Sequence, residues 1–236
     1  MKLKDRIALV TGANRGIGEA IARGLAREGA LVLVGCRKLP EGEKVAAAIR
    51  SAGGRADPIA IDVADPASIA RAGDEVEKKH GRLDVLVNNA GVLLDHGHRT
   101  ADVPLDVWEE TMRVNVRGPL LAVQRFLPLL RKSDRARIVN MTSGLGCLNE
   151  GMSGGWPAYR MSKAALNALT RNLAAELAGT GILVNAINPG WVATDMGGAG
   201  APRTPDEGAD SAVYAACADA DGPNGELLED RETREW

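Results

Sequence analysis

The stretch Ile7-Ala8-Leu9-Val10-Thr11-Gly12-Ala13-Asn14-Arg15-Gly16-Ile17-Gly18 decides the fold. Ile7–Val10 is a short apolar run and reads as a buried strand. The glycines that follow let the chain turn tightly, bring backbone close to a pyrophosphate and pack helix against strand. An apolar-periodic segment, Ile17–Glu28, then reads as a helix whose N-terminus offers free N–H groups and a partial positive charge. The glycine spacing departs from Gly-x-Gly-x-x-Gly, and a Gly-rich turn without a ligand is the plainer alternative. The position between a first strand and a helix favours a phosphate cradle, with Gly12, Asn14, Arg15, Gly16, Ile17 and Gly18 as its candidate contacts.

The same alternation continues outward. Strands are expected at Ile7–Val10, Leu31–Cys36, Pro58–Ile61, Val85–Val87, Arg137–Met141 and Leu183–Ile187, with a short one near Glu226–Leu228. Helices are expected at Ile17–Glu28, Gly42–Ser51, Pro66–His80, Pro104–Arg131, Pro157–Ala178 and Thr204–Cys217. Strands that are apolar on both faces, alternating with helices, imply a parallel sheet covered on both sides. The expected architecture is a single α/β domain over residues 1–236, a Rossmann-type doubly wound sheet of about seven strands. The Gly- and Pro-rich stretches Gly144–Pro157 and Gly197–Pro205 read as loops after strand ends, where ligands bind in open α/β sheets.

The end of the second strand bears on the nucleotide. A site selecting NAD places a carboxylate there for the ribose 2′-hydroxyl. This chain has Gly35-Cys36-Arg37-Lys38 instead, and a second guanidinium, Arg15, in the glycine loop. Two guanidinium groups suit a 2′-phosphate, so NADP(H) is the expected cofactor. The plainer alternative is a solvated strand exit.

Tyr159 and Lys163 stand four apart in a predicted helix and therefore share a face, one turn apart. A tyrosine with its ordinary pKa of about 10 is a poor acid/base at neutral pH. A cation held one turn away favours the phenolate and tunes the phenol for carbonyl–alcohol chemistry. Taken singly, most such pairs simply decorate a helix surface. The chain has only two tyrosines, which makes a chance placement less common.

Together these motifs resemble the short-chain dehydrogenase/reductase family, over nearly the whole chain. Its glycine motif looks like Thr11–Gly18. Its acidic adenine contact resembles Asp62-Val63, and its motif after the fourth strand matches Asn88-Asn89-Ala90-Gly91. Asn115, Ser143, Tyr159–Lys163 and Pro189-Gly190 follow in the family's order.

The resemblance implies that Tyr159 is the acid/base, and that Lys163 lowers its pKa and holds the nicotinamide ribose. Ser143 polarises the substrate carbonyl and Asn115 anchors a proton relay. It also implies cofactor contacts from Arg37, Asp62, Val63, Asn89, Ala90, Gly91, Pro189, Gly190, Val192 and Thr194. Family members are usually dimers or tetramers packed through the helices after strands four and five, so a homodimer or homotetramer is expected. Two features depart from the common pattern: the sixteen-residue spacing of Ser143 and Tyr159, and a short ending that looks carbonyl-reductase-like.

The leading expectation is therefore NADPH-dependent reduction of a ketone or aldehyde, or the reverse oxidation. A 3-oxoacyl-thioester reductase and a non-catalytic nucleotide sensor are the alternatives. Leu93, Leu145, Met152, Trp156, Trp191 and Met196 are candidate walls for an apolar substrate, with Ser143 and Tyr159 as its polar clamp. Gly197-Gly198-Ala199-Gly200 reads as a lid. His96-Gly97-His98 lacks further ligands spaced to complete a metal site. At net charge −2 no basic stripe points to nucleic acid. No apolar run approaches the roughly 18 residues of a membrane span. Cys36, Cys147 and Cys217 are scattered, which fits a reducing compartment. Met1–Arg6 runs into the first strand without room for a signal peptide, so the expected location is the cytoplasm.

Overall fold

The computed structural model describes residues 1–149 and 154–236. Its elements are β1 (Ile7–Thr11), α1 (Gly16–Arg27), β2 (Leu31–Cys36), α2 (Leu39–Ser51), β3 (Arg55–Ala60), α3 (Pro66–His80) and β4 (Val85–Asn88). Then come α4 (Leu105–Met112), α5 (Gly118–Leu130), β5 (Arg137–Met141), α6 (Pro157–Glu176), β6 (Leu183–Ile187), α7 (Pro205–Ala216), β7 (Leu227–Glu229) and β8 (Glu232–Arg234). The sheet order is β3-β2-β1-β4-β5-β6-β7-β8, parallel except for the last pair.

Alternate residues of each inner strand feed opposite sides of this sheet, as the period of a strand requires. Ala8, Val10, Val32, Val34 and Val87 pack with Ile21 and Leu25 of α1 and Ala212 and Ala216 of α7. Leu9, Leu33, Leu86 and Ile138 pack with Ile69 of α3, Phe126 and Leu130 of α5 and Leu173 of α6. Doubly apolar strands thus become a three-layer domain with two cores. The strand order reverses between β1 and β4, which opens a crevice at their C-terminal ends.

Three expectations are refined. The single helix Pro104–Arg131 is interrupted: a π-helical turn, Arg113–Arg117, separates α4 from α5. Pro119 has no N–H to give the carbonyl of Asn115, so the α-helical ladder cannot continue through this point. Among the described residues the sheet has eight strands where about seven were expected. β7 and β8 form an antiparallel hairpin across Asp230 and Arg231, both at positive φ (51° and 66°). That is the backbone of a two-residue hairpin turn, built here without the glycine that usually marks one. β3 also begins earlier than expected, at Arg55, and carries Pro58 on an edge strand, where a missing N–H is tolerated.

Candidate active site

The glycine loop joins β1 to α1. Gly12 and Gly16 have φ of +64° and +56°, a left-handed region that favours glycine. A Cβ on Gly18 would run into the carbonyl oxygen of Gly12 and the amide of Asn89. Arg15 occupies the N-cap of α1 without capping it through its side chain, so the helix start keeps backbone donors for an anion.

The loop after β4 locks this cradle. Asn89 Nδ2 donates to the carbonyls of Thr11 (2.9 Å) and Gly12 (3.1 Å). Thr11 Oγ1 accepts from the N–H groups of Asn89 (3.0 Å) and Ala90 (3.1 Å). Ile17 packs against the core below the loop. A pyrophosphate fits this donor set: glycine backbone at close approach and an uncapped helix start.

Beside the loop lies a cavity of about 440 Å³ lined by Asn14, Arg15, Glu19, Glu41, Lys44 and Val45. Arg37 is exposed at its strand end. Arg15 pairs with Asp195 (2.6 Å), across from the glycine loop. Glu41 was not foreseen: its carboxylate accepts from Asn14 Nδ2 (2.8 Å) and lies 3.7 Å from Lys38. It comes from the first turn of α2 rather than from the end of β2.

Asp62 follows β3 and accepts from the N–H of Ala64 (2.9 Å), and Val63 beside it is buried. Pro189 and Gly190 turn the chain after β6, with Gly190 at φ +73°. Val192 is buried, and the Thr194 methyl would lie 3.3 Å from a Cβ on Gly16. Thr194 thereby borders the glycine loop.

Asn115 sits in the π-helical turn, 1% exposed. Its Oδ1 accepts from the N–H of Val92 (2.8 Å) and its Nδ2 donates to the carbonyl of Val92 (2.8 Å) and to Ser162 Oγ (3.0 Å). Ser162 in turn donates to the carbonyl of Tyr159 (2.7 Å). The strand-four loop, the π turn and the tyrosine helix are thereby tied into one unit. Gly91 lies against it, close to Asn115 Oδ1 and Lys163 Nζ.

Ser143 follows β5 and caps a short 3₁₀ turn, Gly144–Gly146, through the N–H of Leu145 (3.2 Å). Its hydroxyl stands beside the Tyr159 phenol. Lys163 Nζ is buried, lies 5.4 Å from the Tyr159 ring centroid and donates to the carbonyl of Met141 (2.8 Å). Burial pushes the phenol up to about 12, partly offset by the Ser143 hydroxyl, while the negative charge of Asp95 adds to the rise. Burial lowers the Lys163 ammonium to about 8. Desolvation thus acts on both groups and disfavours the charged form of each.

The crevice is complete in outline, and the sequence over residues 6–203 matches the family profile described as short chain dehydrogenase. The chain belongs to that family. It is 34% identical to the pig (Sus scrofa) carbonyl reductase (NADPH) 1, over all of this chain and 96% of that one. It is 41% identical to oxidoreductase UcpA of Escherichia coli, covering 83% of this chain and 72% of UcpA. A short chain dehydrogenase from Burkholderia cenocepacia, solved in complex with NADP, superposes with a TM-score of 0.87 at 34% identity, over 97% of each chain. The short-chain dehydrogenases are oxidoreductases.

The apolar wall residues are less tightly drawn together. Trp191, Met196 and Trp156 are exposed around the mouth. Trp191 Nε1 donates to the carbonyl of Gly197 (2.8 Å), which ties the Gly197–Gly200 stretch to the loop after β6. Leu145 and Leu93 are half-buried. Met152 lies outside the described residues.

Asp95 was missed altogether. It is fully buried, and its Oδ2 accepts from the N–H groups of Ala158 (2.7 Å) and Tyr159 (3.3 Å). Nothing in its local sequence marks it, since its partners lie 63 and 64 residues away.

Proposed function

We propose that this short-chain dehydrogenase is an NADP(H)-dependent carbonyl reductase, with Tyr159 as the proton donor to the carbonyl oxygen. The observation that carries the reading is the Tyr159 phenol, with Ser143 beside it and Lys163 one turn below, at the mouth of the glycine cradle. A phenol at about 12 is fully protonated near neutrality and so is present as an acid. Ser143 and Tyr159 offer two O–H groups to one substrate oxygen, where negative charge develops as the alkoxide forms. Lys163, a buried cation below pH 8, offsets the phenolate left behind.

Gly12, Asn14, Gly16, Ile17, Gly18, Asn89, Ala90 and Gly91 would hold the dinucleotide, with Asp62 and Val63 at its adenine end and Arg15 and Arg37 toward a 2′-phosphate. Pro189, Gly190, Val192 and Thr194 would cover its other end. When bound, NADPH supplies the hydride. The NADP complex of the Burkholderia neighbour and the NADPH named for the pig relative support this cofactor. Leu145, Trp156, Trp191 and Met196 would present an apolar rim to a ketone or aldehyde.

A homodimer or homotetramer in the cytoplasm accompanies this reading, and light scattering at micromolar concentration tests the assembly. No helix among the described residues is long and apolar enough to cross a membrane.

The deciding assay follows NADPH oxidation at about 340 nm against ketones, aldehydes, quinones and an acetoacetyl thioester. Turnover on simple carbonyls that is abolished in Tyr159→Phe, with NADPH binding intact, is the expected result. Undiminished turnover in Tyr159→Phe would remove Tyr159 from the mechanism.

A further inference from the structure

Helix α6 carries Tyr159 and Lys163, yet its own N-cap is poor. Trp156 stands there at φ +48° and gives no side-chain hydrogen bond to the helix. Its first N–H groups are satisfied from another part of the chain, by Asp95 in the loop after β4. A carboxylate at a helix N-terminus is favourable both as an acceptor and against the helix dipole.

We propose that Asp95 is a positioning residue for Tyr159: its buried carboxylate fixes the first turn of α6 and, through its charge, biases the phenol toward the proton-donating form. The proposal rests on the reading of Tyr159 as acid/base. Oδ2 takes both N–H groups, and Oδ1 is buried with no hydrogen-bond partner among the described residues. In so dry a surrounding the charge of the carboxylate is weakly screened from the neighbouring phenol.

The groups around the pair are few. Ser143 stands beside the Tyr159 phenol from the turn after β5, Lys163 Nζ lies 5.4 Å from its ring, and Asp95 reaches the backbone N–H of Tyr159 from the loop after β4. Among the neighbours of Asp95, Arg160 turns away to the carbonyl of Gly155 (3.1 Å), and the His98 imidazole lies 3.9 Å from Asp102. His96 is exposed. Lys163 lies one turn further along the helix from Tyr159, while Asp95 holds the N–H groups of the first turn. From there, Asp95 raises the phenol's pKa.

The chain has only Tyr159 and Tyr214, so a Tyr214→Phe background leaves a single tyrosine to titrate. Its ionisation is read by absorbance near 295 nm, with no need for turnover. Asp95→Asn keeps an accepting oxygen for the two N–H groups and removes the charge. The expected result is a Tyr159 midpoint lowered by half a unit or more, with kcat/KM for alcohol oxidation raised severalfold at pH 8. Asp95→Ala, which removes the cap as well, should lower kcat about tenfold while leaving NADPH affinity unchanged.

An unmoved midpoint in Asp95→Asn overturns the proposal and leaves only a structural cap. Should Asp95→Asn not fold, Asp95→Ser carries the same titration, since its hydroxyl still accepts. A wild-type enzyme without carbonyl reductase activity would overturn the functional reading but not the titration shift, so the two failures are distinguishable.

Discussion

Lys163 gives its 2.8 Å hydrogen bond to the carbonyl of Met141, not to the phenol, although its Nζ lies only 5.4 Å from the Tyr159 ring centroid. The side chain is thus anchored to the strand that also delivers Ser143, and its charge is held beside the tyrosine at the expense of hydration.

That burial sets a pH dependence for folding. Lys163 is lowered from 10.5 to about 8 by desolvation, so the folded state disfavours the cation. Below pH 8 both folded and unfolded states are protonated there and the penalty is fully present. As pH rises from 8 to 10.5 the unfolded chain binds more protons than the folded one, and the penalty is relieved. Lys163→Met should therefore be more stable than wild type at pH 7, by on the order of 1–3 kcal/mol, while losing turnover. Urea titrations at pH 7 and pH 10 check this: the gap should shrink at the higher pH, and a constant gap would refute it.

Gly18 is predicted to be intolerant of a methyl group. A Cβ there meets the Gly12 carbonyl and the Asn89 amide, both part of the hydrogen-bonded lock on the glycine loop. Gly18→Ala should weaken NADPH binding at least tenfold and cost about 1–3 kcal/mol of stability from overpacking. Fluorescence titration with NADPH and thermal melts measure the two effects separately.

Arg37 and Glu41 should move cofactor preference in opposite directions. The guanidinium is free to meet a 2′-phosphate, whereas the Glu41 carboxylate, 2.8 Å from Asn14, opposes one. Arg37→Ala should lower the NADPH over NADH ratio in kcat/KM at least tenfold. Glu41→Gln should raise it severalfold. Parallel shifts in both variants would contradict the placement of a phosphate between them.

Asn115→Ala removes three hydrogen bonds at a site that is 1% exposed and leaves the Val92 N–H and carbonyl without their partner. A loss of about 2–4 kcal/mol is expected, together with a lower kcat at little-changed NADPH affinity. Denaturant midpoints and steady-state kinetics check the two parts.

The two-core architecture was legible because β1, β2, β4, β5 and β6 are apolar on both faces and separated by amphipathic segments. That Tyr159 and Lys163 share a helix face was legible because a spacing of four places two side chains one turn apart on a helix. The π-helical turn was not, since Arg113–Arg117 keeps the apolar period of its neighbours. Pro119 was the overlooked signal, because it removes the N–H due to the Asn115 carbonyl. β8 escaped because its turn places Asp230 and Arg231 at positive φ without a glycine. Asp95 and Glu41 escaped for a different reason: their partners are distant in the chain, and only the folded crevice brings them to bear.

The π-helical turn also imposes a constraint on chain length. Such a turn accommodates more residues than an α-helical one. Deleting one residue between Arg113 and Arg117 would let a regular ladder re-form, and the flanking helices would rotate against each other by about 100°. Asn115 could not then face Val92 and Ser162 while Phe126 and Leu130 stayed in their core. Single-residue deletions in this stretch should be far less tolerated than substitutions at its exposed positions, so that the spacing here is guarded as closely as any side chain in the crevice.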